Sequence, residues 1–111
     1  MHLTMHTLLQ FDELLTGGDG RRYTARVRAD EDELGHWRAW LEFEDAEDSA
    51  RVLRTGFETT QPNRRDTEYW ATGLSRVYLD GALTRALDLG NDGHDGHEVG
   101  ADRRRAPGAG A

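Results

Sequence analysis

Residues 22–29 alternate without a break. Tyr23, Ala25, Val27 and Ala29 share one side of the chain, and Arg22, Thr24, Arg26 and Arg28 share the other. A period of two is the signature of a half-buried strand. The pattern returns with Trp37, Ala39, Leu41 and Phe43 set against Arg38, Glu42 and Glu44. Trp40 is the exception, a large aromatic on the otherwise polar side. A third strand is predicted over about 51–58, with Leu53, Thr55 and Phe57 inward and Arg54 and Glu58 outward. The connectors Asp30–Gly35 and Asp45–Ser49 are short acidic loops of hairpin length. Together these segments predict an antiparallel meander with one dry face.

Upstream, Leu9, Phe11 and Leu15 alternate as a strand would, and Gly17-Gly18-Asp19-Gly20 is a strong turn signal before Tyr23. A first hairpin is the preferred reading of residues 7–16. The spacing of Leu8, Phe11, Asp12 and Leu15 also fits a short helix, and that alternative stays open. Downstream the period changes. Asn63 can cap a helix through Thr72, Asp66 three residues later suits a capping box, and Gly73 suits a left-handed stop. Ser75 can cap a second helix over roughly 75–88, in which Tyr78, Leu79, Ala82, Leu83, Ala86 and Leu87 form an apolar stripe. The expected fold is therefore α+β, a three- to four-stranded antiparallel meander with two C-terminal helices packed on one face.

From Gly90 onward apolar periodicity stops, leaving glycine, charge and small residues. Such a stretch buries too little surface to offset the entropy of ordering it. The expected organisation is one domain over 7–89 and a disordered tail over 90–111. Composition narrows the function classes. All 14 basic residues are arginine, against 21 carboxylates, for a net charge of −7. That balance disfavours nucleic acid and anionic membrane as partners. The chain has no cysteine, which excludes disulfides, thiolate metal sites and cysteine nucleophiles and fits a reducing compartment. Met1 to His6 carry neither a basic start nor a long apolar run, so no signal peptide is expected and the expected location is cytoplasmic.

Three runs stand out as a set: Glu58 through Leu74 (Glu-Thr-Thr-Gln-Pro-Asn-Arg-Arg-Asp-Thr-Glu-Tyr-Trp-Ala-Thr-Gly-Leu), Val77-Tyr78-Leu79-Asp80-Gly81-Ala82-Leu83, and Asp19-Gly20-Arg21-Arg22-Tyr23. On these the chain resembles a family of small prokaryotic proteins of unknown function, over about residues 19–88. The resemblance implies membership and no mechanism.

The richest chemistry lies where the third strand gives way to the first helix. Thr59, Thr60, Gln61 and Asn63 supply hydroxyl and amide groups, and a helix N-terminus favours anions. Arg64 and Arg65 stand in the first turn, where a cation is disfavoured by about 0.3–1 kcal/mol. The functional reading is a site for a carboxylate, a phosphate or an acidic peptide. The competing reading pairs both arginines with Glu58, Asp66 or Glu68. Tyr69 and Trp70 point about 100° apart on a helix, so one can anchor the helix while the other meets a ligand or partner. The plainer alternative packs both against the core.

Trp40 beside Val52 would make the outer sheet face a candidate homodimer contact, unless the stems of Arg38 and Arg54 cover it. His94 and His97, with Asp92, Asp95 and Glu98, are metal ligands by type but sit in a glycine-rich tail, so no metal site is expected. No serine–histidine–aspartate spacing, phosphate loop or HExxH helix is present, and no cofactor is expected. Glu42 and Glu44, on one strand side, are better explained as a solvated face than as a catalytic pair. The favoured function is a non-enzymatic binding or regulatory module. It would engage a protein or a small anionic ligand through 58–70, with Thr59, Thr60, Gln61, Asn63, Arg64, Arg65, Tyr69 and Trp70 as candidate contacts. The alternative is a small-substrate enzyme with a pocket between helices and sheet, using Arg64, Glu68 and Tyr69.

Overall fold

The computed structural model describes residues 5–95, the side chains of 91–95 excepted. Six strands form one antiparallel sheet: β1 (His6–Gln10), β2 (Leu15–Thr16), β3 (Arg22–Glu31), β4 (Trp37–Asp45), β5 (Asp48–Arg54) and β6 (Thr59–Gln61). Two helices follow, α1 (Arg64–Thr72) and α2 (Arg76–Asp95). The class is α+β. The long central pair β3–β4 holds the register, with Ala25 opposite Phe43, Val27 opposite Leu41 and Ala29 opposite Ala39. β1 and β2 both pair with β3, while β5 and β6 both pair with β4. The strand count exceeds expectation because each outer strand is broken in two.

Alternation decides the core. Tyr23, Ala25, Val27, Ala29, Trp37, Ala39, Leu41 and Phe43 are buried on one face, where Leu15 from β2 and Ala71, Leu79, Ala82, Leu83 and Ala86 from the helices close over them. Segment 7–16 is extended rather than helical, with β1 and β2 separated by residues 11–14. Leu8, Leu9 and Phe11 are half-buried against the same core, and a bulge falls between Thr7 and Leu9. The glycine turn forms as expected: Gly17 N–H donates to Arg21 O and Gly20 N–H to Gly17 O. Gly20 has φ +82°, a left-handed conformation that favours glycine.

Several expectations are corrected. The loop Asp45–Ser49 is shorter than expected, because Asp45 pairs with Asp48 and β5 begins there. Glu44 then pairs with Val52, so Ser49–Arg51 bulge from the ladder. Phe57 was expected inward and Glu58 outward, but Phe57 is 53% exposed and its ring meets Trp40 on the outer face. The reason is a second irregularity. Thr55 N–H bonds Leu41 O, while Thr59 pairs with Ala39. The chain thus uses four residues to pass two of β4, and strict alternation is lost.

The helices also differ from expectation at their ends. Gly73 closes α1 in a right-handed conformation, φ −88°, rather than a left-handed one. The second helix runs to Asp95 instead of ending near 88, so residues 90–95, expected in the tail, are helical. Residues 96–111 lie outside the described residues. No helix among the described residues is long and apolar enough to cross a membrane.

Candidate functional site

The junction begins with β6. Its register places Thr59 opposite Ala39 and Gln61 opposite Trp37, with Thr60 between them opposite Arg38. Gln61 Nε2 donates to Thr59 Oγ1 at 2.7 Å, so these two polar side chains satisfy one another. Thr60 is exposed. Asn63 caps α1 as expected: its Oδ1 accepts from Asp66 N–H at 2.8 Å, and its carbonyl accepts from the Thr67 hydroxyl at 2.8 Å. Thr67 and Ala71 are buried beneath the helix, which fixes how α1 rotates against the sheet.

That rotation sorts the four site residues on α1. Arg64 donates to Glu68 one turn on, at 2.9 Å, and its guanidinium lies 5.6 Å from the centre of the Trp37 ring. It is thus held in place by a carboxylate and an aromatic face. Arg65 is exposed on the next ridge. Tyr69, four residues on, is 81% exposed. Trp70 turns inward, half-buried, with its ring edge-on to Tyr78 at 6.4 Å. Trp70 therefore anchors the helix while Tyr69 faces solvent, and the packing of both against the core is not found.

Spacing did not reveal a second cluster. Glu58, which the strand pattern placed outward, turns toward α2 and is only 10% exposed. Its Oε1 accepts from the Tyr78 hydroxyl and from Arg85 at 2.6 Å. Arg85 also lies 5.7 Å from the centre of the Tyr78 ring. Burial first, and then the bond to Glu58, push the Tyr78 phenol above its usual value. The available signal was the apolar stripe of α2, which places Tyr78 and Arg85 at its margin. What alternation could not supply was the irregularity at Thr55–Thr59.

A third cluster joins the glycine turn to β4 and β5. The Tyr23 hydroxyl donates to Asp19 at 2.6 Å, Arg21 donates to Asp45 at 2.7 Å, and Arg51 lies within 4 Å of both carboxylates. Asp45 sits below its usual value, held there by the Glu47 N–H and then by Arg21.

On the outer face, Glu42 and Glu44 both pair with Arg26 at 3.0 Å, so they do not form a bare carboxylate pair. Of the two readings of Trp40, exposed beside Val52 or covered by arginine, the covered one holds, for it is 1% exposed. Val52 pairs instead with Glu44. Arg54 covers the indole at 4.4 Å, Phe57 meets its edge, and its Nε1 donates to Glu42 at 3.1 Å. The cover is thus the guanidinium of Arg54 rather than an aliphatic stem, while the Arg38 guanidinium lies over Phe57 at 4.8 Å. His94 and His97, with Asp92, Asp95 and Glu98, fall outside the residues whose side chains are described. No family model matches the chain, and neither a curated protein nor a solved structure is significantly similar to it.

Proposed function

We propose that the protein is a binding module that recognises an acidic protein segment through α1. The observation that carries this reading is the exposed pair Arg65 and Tyr69, one turn apart on a helix whose opposite side is fixed by Thr67, Trp70 and Ala71. A guanidinium beside a phenol offers a charge, hydrogen-bond donors and a flat apolar face, the combination that dominates protein interfaces. The ridge is convex. A small ligand needs a concave site to bury most of its surface, so a protein segment is preferred over a free anion. Thr60 and the Arg64–Glu68 pair border the ridge and contribute at its rim, where charges act mainly on association rate.

The test compares affinity capture from a cell extract by the wild type and by Arg65→Ala/Tyr69→Ala, at low and moderate salt. Partners retained by the wild type and lost by the variant are expected, with capture weakening as salt rises. Recovery of the same partners by both proteins refutes the proposal.

A further inference from the structure

The linker between β5 and β6 and residues 85–90 of α2 flank an open cleft that the reading of α1 leaves unused. It consists of two adjoining cavities of about 380 and 310 Å³, which share Thr55, Gly56 and Leu89. One end is mostly apolar, lined by Val52, Leu53, Ala86 and Leu89, with Arg54, whose guanidinium lies over the Trp40 ring, as its charged member. The other end is charged, formed by Glu58, Arg85 and Asp88. These three charged groups are not equivalent. Glu58 is nine-tenths buried and already accepts from Tyr78 and Arg85, so it orients the guanidinium and has little left to offer a ligand. Arg85 is half exposed, with donors remaining beyond that one bond. Asp88 is exposed and forms no ion pair within 4 Å among the described residues. The charged end therefore offers one oriented cation and one unengaged anion, three residues apart on a helix face.

We propose that this cleft binds a small zwitterion with an apolar side chain, of the class of free apolar α-amino acids. Arg85 takes the carboxylate, Asp88 takes the ammonium group, and the side chain lies over Leu53, Ala86 and Leu89. Glu58 and Tyr78 are positioning residues that hold the guanidinium. A purely anionic ligand would leave Asp88 opposing it, and a purely cationic one would leave Arg85 opposing it.

Gly56 makes the test clean. A Cβ built there meets nothing within 4 Å and its φ is not left-handed, so a side chain is tolerated at this lining position, and Gly56→Leu is chosen to crowd the cleft. The full chain, labelled for amide NMR, is titrated with L-leucine up to about 20 mM, a range suited to so small a ligand in an open site. Saturable shifts are expected at the amides of Gly56 and Leu89, and Gly56→Leu should abolish them. Leucinol, which lacks the carboxylate, and 4-methylpentanoate, which lacks the ammonium group, should each bind at least roughly tenfold more weakly. Asp88→Asn should weaken leucine and strengthen 4-methylpentanoate, whose carboxylate is then no longer opposed. Absence of saturable shifts overturns the proposal. So does persistence of the leucine shifts in Gly56→Leu, or equal binding of leucine and leucinol.

Discussion

Trp40 gives the sharpest test of how this sheet is covered. It lies on the outer face, the side that strand alternation assigns to solvent, yet only 1% of it is exposed. A buried indole removes about 150–250 Å² from water, and at about 25 cal/mol per Å² that is a gross contribution of about 4–6 kcal/mol. Arg54 over the ring adds about 0.5–1 kcal/mol, and the edge contact with Phe57 adds about as much again. Trp40→Ala also leaves Glu42 without its indole donor. Allowing for partial collapse of the site, Trp40→Ala should cost about 3–5 kcal/mol.

In a domain of this size that corresponds to a fall in Tm of at least about 12 °C. Urea unfolding followed by far-ultraviolet circular dichroism measures it without relying on the fluorescence of the mutated residue. Should Trp40→Ala not fold, Trp40→Phe keeps an aromatic under Arg54 and should cost about 1–2 kcal/mol. A double-mutant cycle with Arg54→Ala should show coupling of about 0.5–1 kcal/mol. A Trp40→Ala variant within about 0.5 kcal/mol of wild type would behave as an ordinary surface substitution, and the covered-face reasoning would fail.

Three further outcomes are expected. A Cβ at Gly17 would meet Asp19 Oδ1 at 2.7 Å, Leu87 Cδ1 at 3.0 Å and Tyr23 Cε1 at 3.2 Å. Gly17→Ala should therefore destabilise by about 1–3 kcal/mol in thermal melts, whereas Gly18→Ala, which meets nothing, should not. Asn63→Ala removes the cap on Asp66 N–H and should cost about 1 kcal/mol, with Asn63→Ser recovering most of it. The third outcome concerns pH. Asp45 and Asp19 titrate below the usual 3.8, Asp45 through the Glu47 N–H and Arg21, and Asp19 because Tyr23, Arg21 and Arg51 outweigh its burial. A depressed folded value means the stabilisation is complete above the unfolded value and is lost as pH falls through the folded one. Denaturant midpoints should therefore drop below roughly pH 4. The drop should be shallower in Asp45→Asn, and an unchanged slope in that variant would count against the Arg21–Asp45 pair.

Regular periodicity made the centre of the molecule legible. The alternation of 22–29 and 37–44 reappears residue for residue in the buried face of β3 and β4, because a continuous ladder has no means of changing face. Asn63 and Ser75 were legible as caps for an equally local reason: Asn63 takes Asp66 N–H and Ser75 takes Tyr78 N–H. Errors cluster where the backbone leaves its period. The two extra residues between Thr55 and Thr59 send Phe57 outward and Glu58 toward α2, and a bulge of that kind has no signature in side-chain polarity. Trp40 is a different case. It stands on the outer side where alternation places it, but its burial depends on Phe57 and Arg54 folding back over it, contacts made by tertiary structure that spacing leaves open. At the candidate site the sequence placed Arg65 and Tyr69 one turn apart, which was enough to mark a ridge. It could not show that Arg64 is held by Glu68 and Trp37 while Arg65 is left exposed.

The broken outer strands have a consequence for how copies of this chain meet one another. An uninterrupted edge exposes a row of unpaired amide and carbonyl groups on which another extended chain can build. Here one border of the sheet bulges at Thr7–Leu9 and stops between β1 and β2. The other bulges at Ser49–Arg51, where Asp48 Oδ1 takes up the Ala50 N–H, and breaks again before β6. A foreign strand would find only a few consecutive partners on either border before the register failed. The interruptions that defeat a reading by alternation thus also resist stacking into fibrils.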